Sequence, residues 1–320
     1  METNHDSPTV GWVGTGRMGF QLALRLLDAG YDLAVWNRTR AKAEPLAEAG
    51  ATIVDEPADL AGRDVVFTMV SGPEDFEAVT LGAGGLLTRA GQAPRILVDS
   101  STISAHASAK VRQRAGAVGT ALLAAPVSGN PKVVQAGRLT VAVSGPHEAF
   151  ESVQHVLESL GSAVTYVGED DAARLVKICH NLMLGVVTQC LAEVTVLAEK
   201  GGVSRTDFLT FLNESVMGST FTRYKTPALV ELDFTPTFTP ELLRKDFDLG
   251  VEAAEELQAY LPLARHARDL VQRMIDDGYL DVDFAALLEV QAKASCLTLR
   301  PEPGSVSDGL EVEHGDAVAR

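Results

Sequence analysis

The chain has 320 residues, of which 46% are hydrophobic and 22% are charged, and these proportions are ordinary for a globular protein. Since single domains cluster at about 100–200 residues, this length predicts two domains. The formal net charge of -16 repels the phosphate backbone of nucleic acids, so the composition argues against a nucleic-acid-binding protein.

Short β-rich runs alternate with helical stretches in the first 170 residues. The predicted strands are Val10–Val13, Leu33–Trp36, Val65–Val70, Ile96–Asp99, Leu122–Pro126, Thr140–Val143 and Val164–Val167. Helical patterns lie between most of them, for example at Met18–Ala29 and Pro146–Leu160. This alternation is typical of a doubly wound, largely parallel sheet.

The pattern becomes helical from about residue 171. Leu175–Ala198 is apolar over most of its length and too long for a strand, so it predicts a long buried helix. Further helices are predicted at Arg205–Asn213, Pro240–Leu257, Leu261–Asp276 and Val282–Cys296. We therefore expect an α/β domain over residues 1–170 and an all-helical domain over residues 171–300. Residues 301–320 are rich in Gly, Pro, Ser, Asp and Glu and are expected to form a disordered tail.

Several sequence features bear on where the protein resides. Lysine, histidine, asparagine and glutamate side chains interrupt the long apolar helix and argue against a membrane span. Residues 1–8 are polar and acidic, without an apolar signal region, which indicates a cytoplasmic protein. The odd number of cysteines argues against a disulfide framework, and we expect Cys179, Cys190 and Cys296 to be buried, reduced thiols. The spacing of His, Cys and Asp residues predicts no metal site.

A glycine-rich segment follows the first predicted strand directly and opens a helix. In this segment, Gly14 permits a tight turn, Gly16 allows close approach of a pyrophosphate, and Gly19 allows helix and sheet to pack closely. Arg17 and Met18 begin the helix, whose free N–H groups face the anion. The segment therefore predicts a dinucleotide site; the alternative is a purely structural glycine turn.

The residues after the second predicted strand indicate which dinucleotide is bound. An NAD enzyme usually has an acidic residue here for the ribose 2′-hydroxyl, but this chain has Asn37, Arg38 and Thr39. Arg38 is suited to pair with a 2′-phosphate, with help from the hydroxyl of Thr39. We therefore predict NADP(H) in preference to NAD(H). Alternatively, Arg38 only stacks on the adenine.

Four ordered segments resemble the β-hydroxyacid dehydrogenase family, whose members include 3-hydroxyisobutyrate dehydrogenases and glyoxylate/succinic semialdehyde reductases. The segments are Gly11–Gly19, Asp99–Thr102, Ala125–Gly129 and Lys177–Asn181, with Lys245-Asp246-Phe247 further along the chain. The resemblance covers roughly residues 9–298. It implies a Rossmann domain joined by a long interdomain helix to an all-helical domain like that of 6-phosphogluconate dehydrogenase.

The resemblance implies that Lys177 is the catalytic acid/base and that Asn181 holds the reacting oxygen. The two residues are four apart on a predicted helix, so they share a face. The apolar neighbours of Lys177 in sequence are Leu175, Val176, Ile178 and Leu182. Such surroundings are expected to lower the pKa of the lysine. The alternative is a lysine whose stem packs and whose ammonium reaches solvent. His180 is expected to be packed and hydrogen-bonded.

The same resemblance places the remaining site residues. Ser128, Gly129 and Asn130 lie in a loop after a predicted strand. The Ser128 hydroxyl and the backbone N–H groups of Gly129 and Asn130 are expected to bind the carboxylate of a small substrate; the alternative is an ordinary turn. Thr102 is expected to border the nicotinamide. Lys245 and Asp246 are expected to close over the cofactor and the site; the alternative is an exposed helical ion pair. Val70 and Ser71, which follow the third predicted strand, are expected to border the adenosine ribose.

Two departures leave the substrate open: Ala124 stands where the family usually has Asp, and Asn130 where a glycine is common. The resemblance implies hydride transfer between a small β-hydroxy acid and its aldehyde or keto acid, in a homodimer or homotetramer. An imine reductase is a second possibility, although those enzymes usually carry Asp or Tyr in place of Lys177. A third is a non-catalytic NADP(H)-binding sensor.

Overall fold

The structure is a computed structural model that describes residues 8–89, 91–303 and 306–310. It divides into two compact units, Met1–Ile178 and Cys179–Arg320. The first is an α/β unit and the second is helical, which confirms the predicted fold class. A long helix, α7 (Ala172–Lys200), contains the point at which the chain passes from one unit to the other.

Nine strands among the described residues form one sheet in the first unit. They are β1 (Val10–Val13), β2 (Leu33–Trp36), β3 (Thr52–Ile53), β4 (Val65–Thr68), β5 (Ile96–Asp99), β6 (Ala121–Ala124), β7 (Val127–Ser128), β8 (Thr140–Ser144) and β9 (Ala163–Gly168). Their order is β3-β2-β1-β4-β5-β6-β8-β7, and β9 pairs with β8. The pairs from β3 to β6 are parallel, as is β8 with β9, whereas β8 runs antiparallel to β6 and β7.

The strand order reverses between β1 and β4. The chain proceeds from β1 to β2 and β3 on one side, and from β4 to β5 and β6 on the other. Ligands of open parallel sheets bind beyond the carboxyl ends of the strands at such a reversal. The glycine-rich turn after β1 lies at this place.

The central strands are buried along their whole length. Every residue of β1, β4 and β5 is buried, as expected when helices cover both faces of a parallel sheet. Trp12 of β1 and Phe67 of β4 stack with their ring centroids 5.3 Å apart. This packing holds the ends of the two central strands in a fixed position.

Six α-helices accompany the sheet among the described residues of the first unit. They are α1 (Arg17–Asp28), α2 (Glu44–Glu48), α3 (Pro73–Leu81), α4 (Ala105–Ala117), α5 (Pro131–Gln135) and α6 (His147–Glu158). Side chains cap two of them: the Ser104 hydroxyl accepts from the amide of Ala107 at α4, and the Asn130 side chain accepts from Val133 at α5.

The helical unit has its own core. Besides the later turns of α7 it contains α8 (Arg205–Glu214), α9 (Thr220–Glu231), α10 (Pro240–Glu256), α11 (Pro262–Asp276) and α12 (Leu287–Ala294), the last preceded by a 3₁₀ turn at Phe284–Ala286. Helix α9 was not predicted because Pro227 lies inside it. A capping box formed by Ser219 and Thr222 starts that helix.

The cysteines differ from the expectation, because all three are exposed rather than buried. Cys190 lies on α7 between Met183 and Leu197, seven residues from each, and those two side chains are 70% and 71% exposed. Residues seven apart share a helix face, so this side of α7 is an exposed apolar stripe. By length and hydropathy α7 also resembles a membrane span, a property that core helices of soluble proteins share.

The beginning of the tail, expected to be disordered, makes defined contacts in the helical unit. Glu302 accepts hydrogen bonds from the amides of Arg205 (2.7 Å) and Thr206 (2.9 Å), and Leu310 is buried. A carboxylate that accepts N–H groups at a helix start offsets the entropy of ordering this segment. Residues 304–305 and 311–320 lie outside the described residues.

Candidate active site

The glycine-rich turn after β1 has room for a ligand at only one of its three motif glycines. A Cβ atom at Gly14, where φ is +98°, would lie 2.2 Å from the carbonyl oxygen of Met69. A Cβ atom at Gly19 would lie 2.0 Å from the carbonyl oxygen of Gly14. At Gly16, no atom of the described structure lies within 4 Å of the Cβ position. The fold therefore requires Gly14 and Gly19, whereas Gly16 faces open space.

The start of α1 offers hydrogen-bond donors to that space. Gly16 is the N-cap residue and no side chain caps the helix, which begins at Arg17 and continues through Met18. The hydroxyl of Thr15 is buried and has no hydrogen-bond partner among the described residues. Uncapped N–H groups at a helix start attract anions, so this place fits the pyrophosphate of a nicotinamide dinucleotide.

The side chain of Asn37 braces the same turn. Its Oδ1 accepts from the amide of Thr15 (2.9 Å), and its Nδ2 donates to the carbonyl oxygen of Thr39 (2.8 Å). The amide group therefore connects the end of β2 with the turn after β1. Asn37 therefore holds the shape of the glycine-rich turn through these two bonds.

Arg38 lies on the surface next to this turn. Its side chain is 77% exposed, and its Nη1 lies 2.7 Å from Oδ1 of Asp75 in the first turn of α3. Arg40 makes a similar exposed pair with Asp55. Exposed ion pairs contribute only about 0–1 kcal/mol, so little free energy opposes moving either guanidinium onto an anionic ligand.

A buried carboxylate organises the loops that follow β4 and β5. Oδ1 of Asp99 accepts from the hydroxyls of Thr68 (2.7 Å) and Ser101 (2.8 Å). The Ser101 hydroxyl in turn accepts from the amide of Val70 (2.9 Å). These bonds join the loop expected to border the ribose, at Val70 and Ser71, to the loop that carries Thr102.

The other oxygen of Asp99 binds Arg174, a residue that sequence reasoning missed. Nη1 of Arg174 lies 2.8 Å from Asp99, and its Nε lies 2.9 Å from Asp171. Asp171 also accepts from Arg112 and Ser108. The sequence did offer one indication of this role, because Arg174 is a charged residue within the apolar first turns of α7.

The contacts of Asp171 set its pKa. Burial raises this pKa, but hydrogen bonds from Arg112 and Ser108 lower it, as do the charges of Arg174 and Arg112. The lowering effects outweigh burial, so the pKa lies below its usual value.

The segment from Ser128 to Asn130 forms the end of β7 and the start of α5. Gly129 has φ +143°, and a Cβ atom there would lie 2.8 Å from the Val133 side chain, so this position requires glycine. The side chain of Asn130 has a structural role that sequence reasoning missed, because its Oδ1 accepts from the amide of Val133 (3.0 Å). Asn130 is the N-cap of α5, which follows from the preference of Asn for that position. The carboxylate contact expected of this residue involves its backbone N–H instead.

Lys177 and Asn181 both lie on α7, one turn apart, with Lys177 half-buried and Asn181 buried. The apolar surroundings expected for Lys177 are incomplete, because Leu175 and Val176 are 39% and 41% exposed. Neighbours in sequence point to other sides of a helix. The residues that share the side of Lys177 are those three and four positions away, and they include Arg174 and Asn181.

Asn181 is held within the helical unit by two side chains. Its Nδ2 donates to Oδ2 of Asp246 on α10, which is buried, and its Oδ1 lies 2.8 Å from Nδ1 of His180. Lys245 is partly exposed, with its Nζ 3.6 Å from the other oxygen of Asp246. His180 is exposed rather than packed, although it is hydrogen-bonded as expected. Within the described residues, no three His, Cys, Asp or Glu side chains are grouped to hold a metal ion.

Comparison with known proteins gives the family. Residues 9–168 match the model for the NAD-binding domain of 6-phosphogluconate dehydrogenase, and residues 172–291 match the model for the NAD-binding domain of NADP-dependent 3-hydroxyisobutyrate dehydrogenase. The 3-hydroxyisobutyrate dehydrogenase of Pseudomonas aeruginosa is 31% identical over 87% of this chain and 96% of its own length. The chain belongs to the β-hydroxyacid dehydrogenase family.

Two further relatives show how evenly the similarity to the β-hydroxyacid dehydrogenase family extends along the chain. An uncharacterized oxidoreductase of Bacillus subtilis, YfjR, is 34% identical over 87% of this chain and 97% of its own length. The crystal structure of a 3-hydroxyisobutyrate dehydrogenase from Salmonella typhimurium has a TM-score of 0.79 at 26% identity, covering 89% of this chain and 100% of that one. The protein is therefore an oxidoreductase with an NAD(P)-binding Rossmann domain.

Proposed function

We propose that the protein interconverts a small β-hydroxy acid and the matching aldehyde or keto acid with NADP(H), using Lys177 as general acid/base. The observation that carries the proposal is the placement of Lys177 and Asn181 one turn apart on α7, with Asn181 held by Asp246. A proton donor and an amide on one helix face are suited to bind the same reacting oxygen.

The bound dinucleotide supplies or accepts the hydride. In reduction, the ammonium of Lys177 donates a proton to the carbonyl oxygen as that oxygen gains charge. In oxidation, neutral Lys177 removes the hydroxyl proton. Asn181 donates a hydrogen bond to the same oxygen, and its contact with Asp246 fixes the orientation of the amide. The Ser128 hydroxyl and the backbone N–H groups of Gly129 and Asn130 bind the substrate carboxylate.

The preference for NADP(H) is supported by charge at the end of β2. No acidic residue stands at positions 37–40, and the exposed Arg38 makes a surface ion pair with Asp75. A 2′-phosphate carries more charge than one carboxylate, so it competes well for this guanidinium. A neutral ribose hydroxyl lacks that attraction.

Self-association is supported by the exposed stripe on α7. Val176, Met183 and Leu197 repeat at intervals of seven residues or multiples of seven, and each is at least 41% exposed. Exposed apolar side chains aligned along one helix face are typical of protein–protein contacts. We therefore include a homodimer or homotetramer in the proposal.

The direct test is NADPH oxidation with glyoxylate, succinic semialdehyde, tartronate semialdehyde and methylmalonate semialdehyde in parallel, with NADH as the control cofactor. The proposal predicts turnover of at least one of these acids and a higher kcat/KM with NADPH than with NADH. Tight NADPH binding without turnover of any of the four acids would contradict the small-acid proposal.

A further inference from the structure

The first turn of α7 is tied to the carboxyl end of β5 by a buried arginine. The Arg174 side chain is 1% exposed, and its Nη1 contacts Oδ2 of Asp99 at 2.8 Å and the carbonyl oxygen of Ser101 at 3.2 Å. The same carboxylate fixes the Ser101 hydroxyl through its other oxygen. One guanidinium therefore holds both the strand end and the loop that leads to Thr102.

A second set of bonds holds the same arginine from the other side. Nε of Arg174 lies 2.9 Å from Asp171, which Arg112 of α4 grips with two nitrogens at 2.8 and 3.1 Å. The hydroxyl of Ser144, at the end of β8, accepts from the amide of Ala173 at 2.9 Å. The start of α7 is thereby fixed to β5, α4 and β8, all within the first unit.

This arrangement is costly for a purely structural contact. Removing an arginine and a carboxylate from water carries a desolvation penalty that well-packed apolar side chains avoid, so a buried ion pair is weak evidence for stability. What the planar guanidinium adds is direction, because it binds Asp99 and Asp171 at fixed angles at once. The contacts of Arg174 with Asp99 and Asp171 are therefore suited to fix the position of the first turn of α7.

Lys177 follows Arg174 by three residues, which is about 4.5 Å along the helix axis and nearly one turn. The loop held by Arg174 continues to Thr102, which is expected to border the nicotinamide. Hydride transfer and proton transfer must occur at adjacent substrate atoms, and a misplacement of about 1 Å can cost roughly a hundredfold in rate. The distance between the lysine and the nicotinamide loop therefore depends on Arg174.

We propose that Arg174 is a positioning residue for the reaction, which fixes the helix turn carrying Lys177 against the loop Asp99–Thr102 through its paired contacts with Asp99 and Asp171. This inference rests on the proposed role of Lys177. It assigns no contact between Arg174 and the substrate.

The test compares four variants: Arg174→Met, Arg174→Lys, the double variant Asp99→Asn/Arg174→Met, and Arg205→Met as the matched control. Arg205 is also buried and ion-paired, with Glu199 at 2.7 Å, but its guanidinium binds residues of the helical unit. All activities are measured at a temperature well below the lowest Tm, with the acid that the wild-type enzyme turns over.

For Arg174→Met we expect kcat to fall about tenfold or more, with the KM for NADPH changed less than about threefold. The isotope effect with NADPH deuterated at the transferred position should rise, because the chemical step becomes slower. Hydrogen exchange should increase at residues 99–103 and 172–178 but not in β1.

The other variants separate stability from positioning. Arg174→Lys keeps the charge but loses the planar guanidinium that binds two carboxylates at once, so it should recover Tm more than kcat. The double variant removes the unpaired carboxylate and should regain Tm without regaining kcat. Arg205→Met should lower Tm and leave kcat unchanged.

Two results would overturn the proposal: wild-type kcat and isotope effect in Arg174→Met, or a kcat in the double variant that recovers together with Tm. Either would make the network a stabilising contact only. Lys177→Ala is run alongside, so that the two proposals can fail separately. Loss of turnover in Lys177→Ala with full turnover in Arg174→Met refutes positioning alone. Full turnover in Lys177→Ala refutes the proposed function and the positioning role with it.

Discussion

The side-chain amide of Asn181 donates to the carboxylate of Asp246, and both residues are buried in the helical unit. Asn181 lies on α7 and Asp246 on α10, so the contact joins two helices that are far apart in sequence. The orientation of an amide expected to hold the reacting oxygen is therefore set by a carboxylate.

Replacing Asp246 with Ala should lower both stability and turnover. A buried donor left without its acceptor costs about 1–3 kcal/mol, and the amide of Asn181 loses its fixed orientation. We expect Tm to fall by several degrees and kcat to fall more than the affinity for NADPH. Thermal unfolding, steady-state kinetics and NADPH titration measure the three quantities.

Asp246→Asn is the matched control for that change, since it keeps an acceptor oxygen of similar shape. It should retain more of the Tm than Asp246→Ala. An Asp246→Ala protein with wild-type kcat would show that this contact has no part in orienting Asn181.

Substitutions at two glycines of the turn should separate folding from cofactor binding. Gly16→Ala adds a Cβ into open space, so Tm without cofactor should stay near wild type while the Kd for NADPH rises. Gly14→Ala puts a Cβ 2.2 Å from a backbone oxygen at φ +98°, which should destabilise the fold by at least about 1–3 kcal/mol. Unfolding of the cofactor-free proteins and fluorescence titration with NADPH test this. Equal Tm values for cofactor-free Gly14→Ala and Gly16→Ala would contradict the separate roles of the two glycines.

Much of the first unit could be predicted because its strands are continuous apolar runs between glycines. The two-residue strands β3 and β7 were missed, since so short a run carries no periodicity. The position of Lys177 on a long helix was also predictable from pattern and resemblance.

The parts that sequence reasoning missed depend on tertiary contacts. The pairing of Asp99 with Arg174 joins residues 75 positions apart, and no local pattern indicates which buried carboxylate an arginine meets. The capping role of the Asn130 side chain was missed, although Asn followed by Pro is a typical helix start. The apolar surroundings expected for Lys177 were inferred from Leu175 and Val176, but residues adjacent in sequence do not share a helix face.

Arg38→Ala should reduce the use of NADPH while leaving that of NADH unchanged. A charge-assisted contact with a phosphate is worth about 1.5–3 kcal/mol, so kcat/KM with NADPH should fall roughly ten- to a hundredfold. Arg63→Ala is the control, because Arg63 also forms an ion pair in this unit, with Asp32 at 2.7 Å, although its side chain is less exposed than that of Arg38. Equal losses with both cofactors would contradict a role for Arg38 in selecting the 2′-phosphate.

Glu302→Ala should destabilise the helical unit without altering the chemistry. It removes the acceptor for the amides of Arg205 and Thr206, at a cost of about 1–3 kcal/mol. Burial raises the pKa of Glu302, but hydrogen bonds from Thr206 and Arg205 outweigh burial and lower it below the usual 4.5. Its stabilisation is then complete above pH 4.5 and is lost as the pH falls through the lower folded-state value.

The Tm difference between wild type and Glu302→Ala should therefore be constant well above pH 4.5 and should shrink as the pH falls below 4.5. Glu302→Gln, which keeps one acceptor oxygen, should lie between the two. A Tm difference that widens on acidification would contradict this account of the segment.

The most direct test of the central claim is single-turnover NADPH oxidation by Lys177→Ala, with the accepted acid at saturation and with added methylammonium as a replacement proton donor. We predict a rate loss of about a hundredfold or more with near wild-type NADPH affinity, partly restored by methylammonium. Lys110→Ala, which removes an exposed lysine of α4, should react at the wild-type rate. A Lys177→Ala protein that transfers hydride within a few fold of the wild-type rate would contradict the assignment of Lys177 as the acid/base.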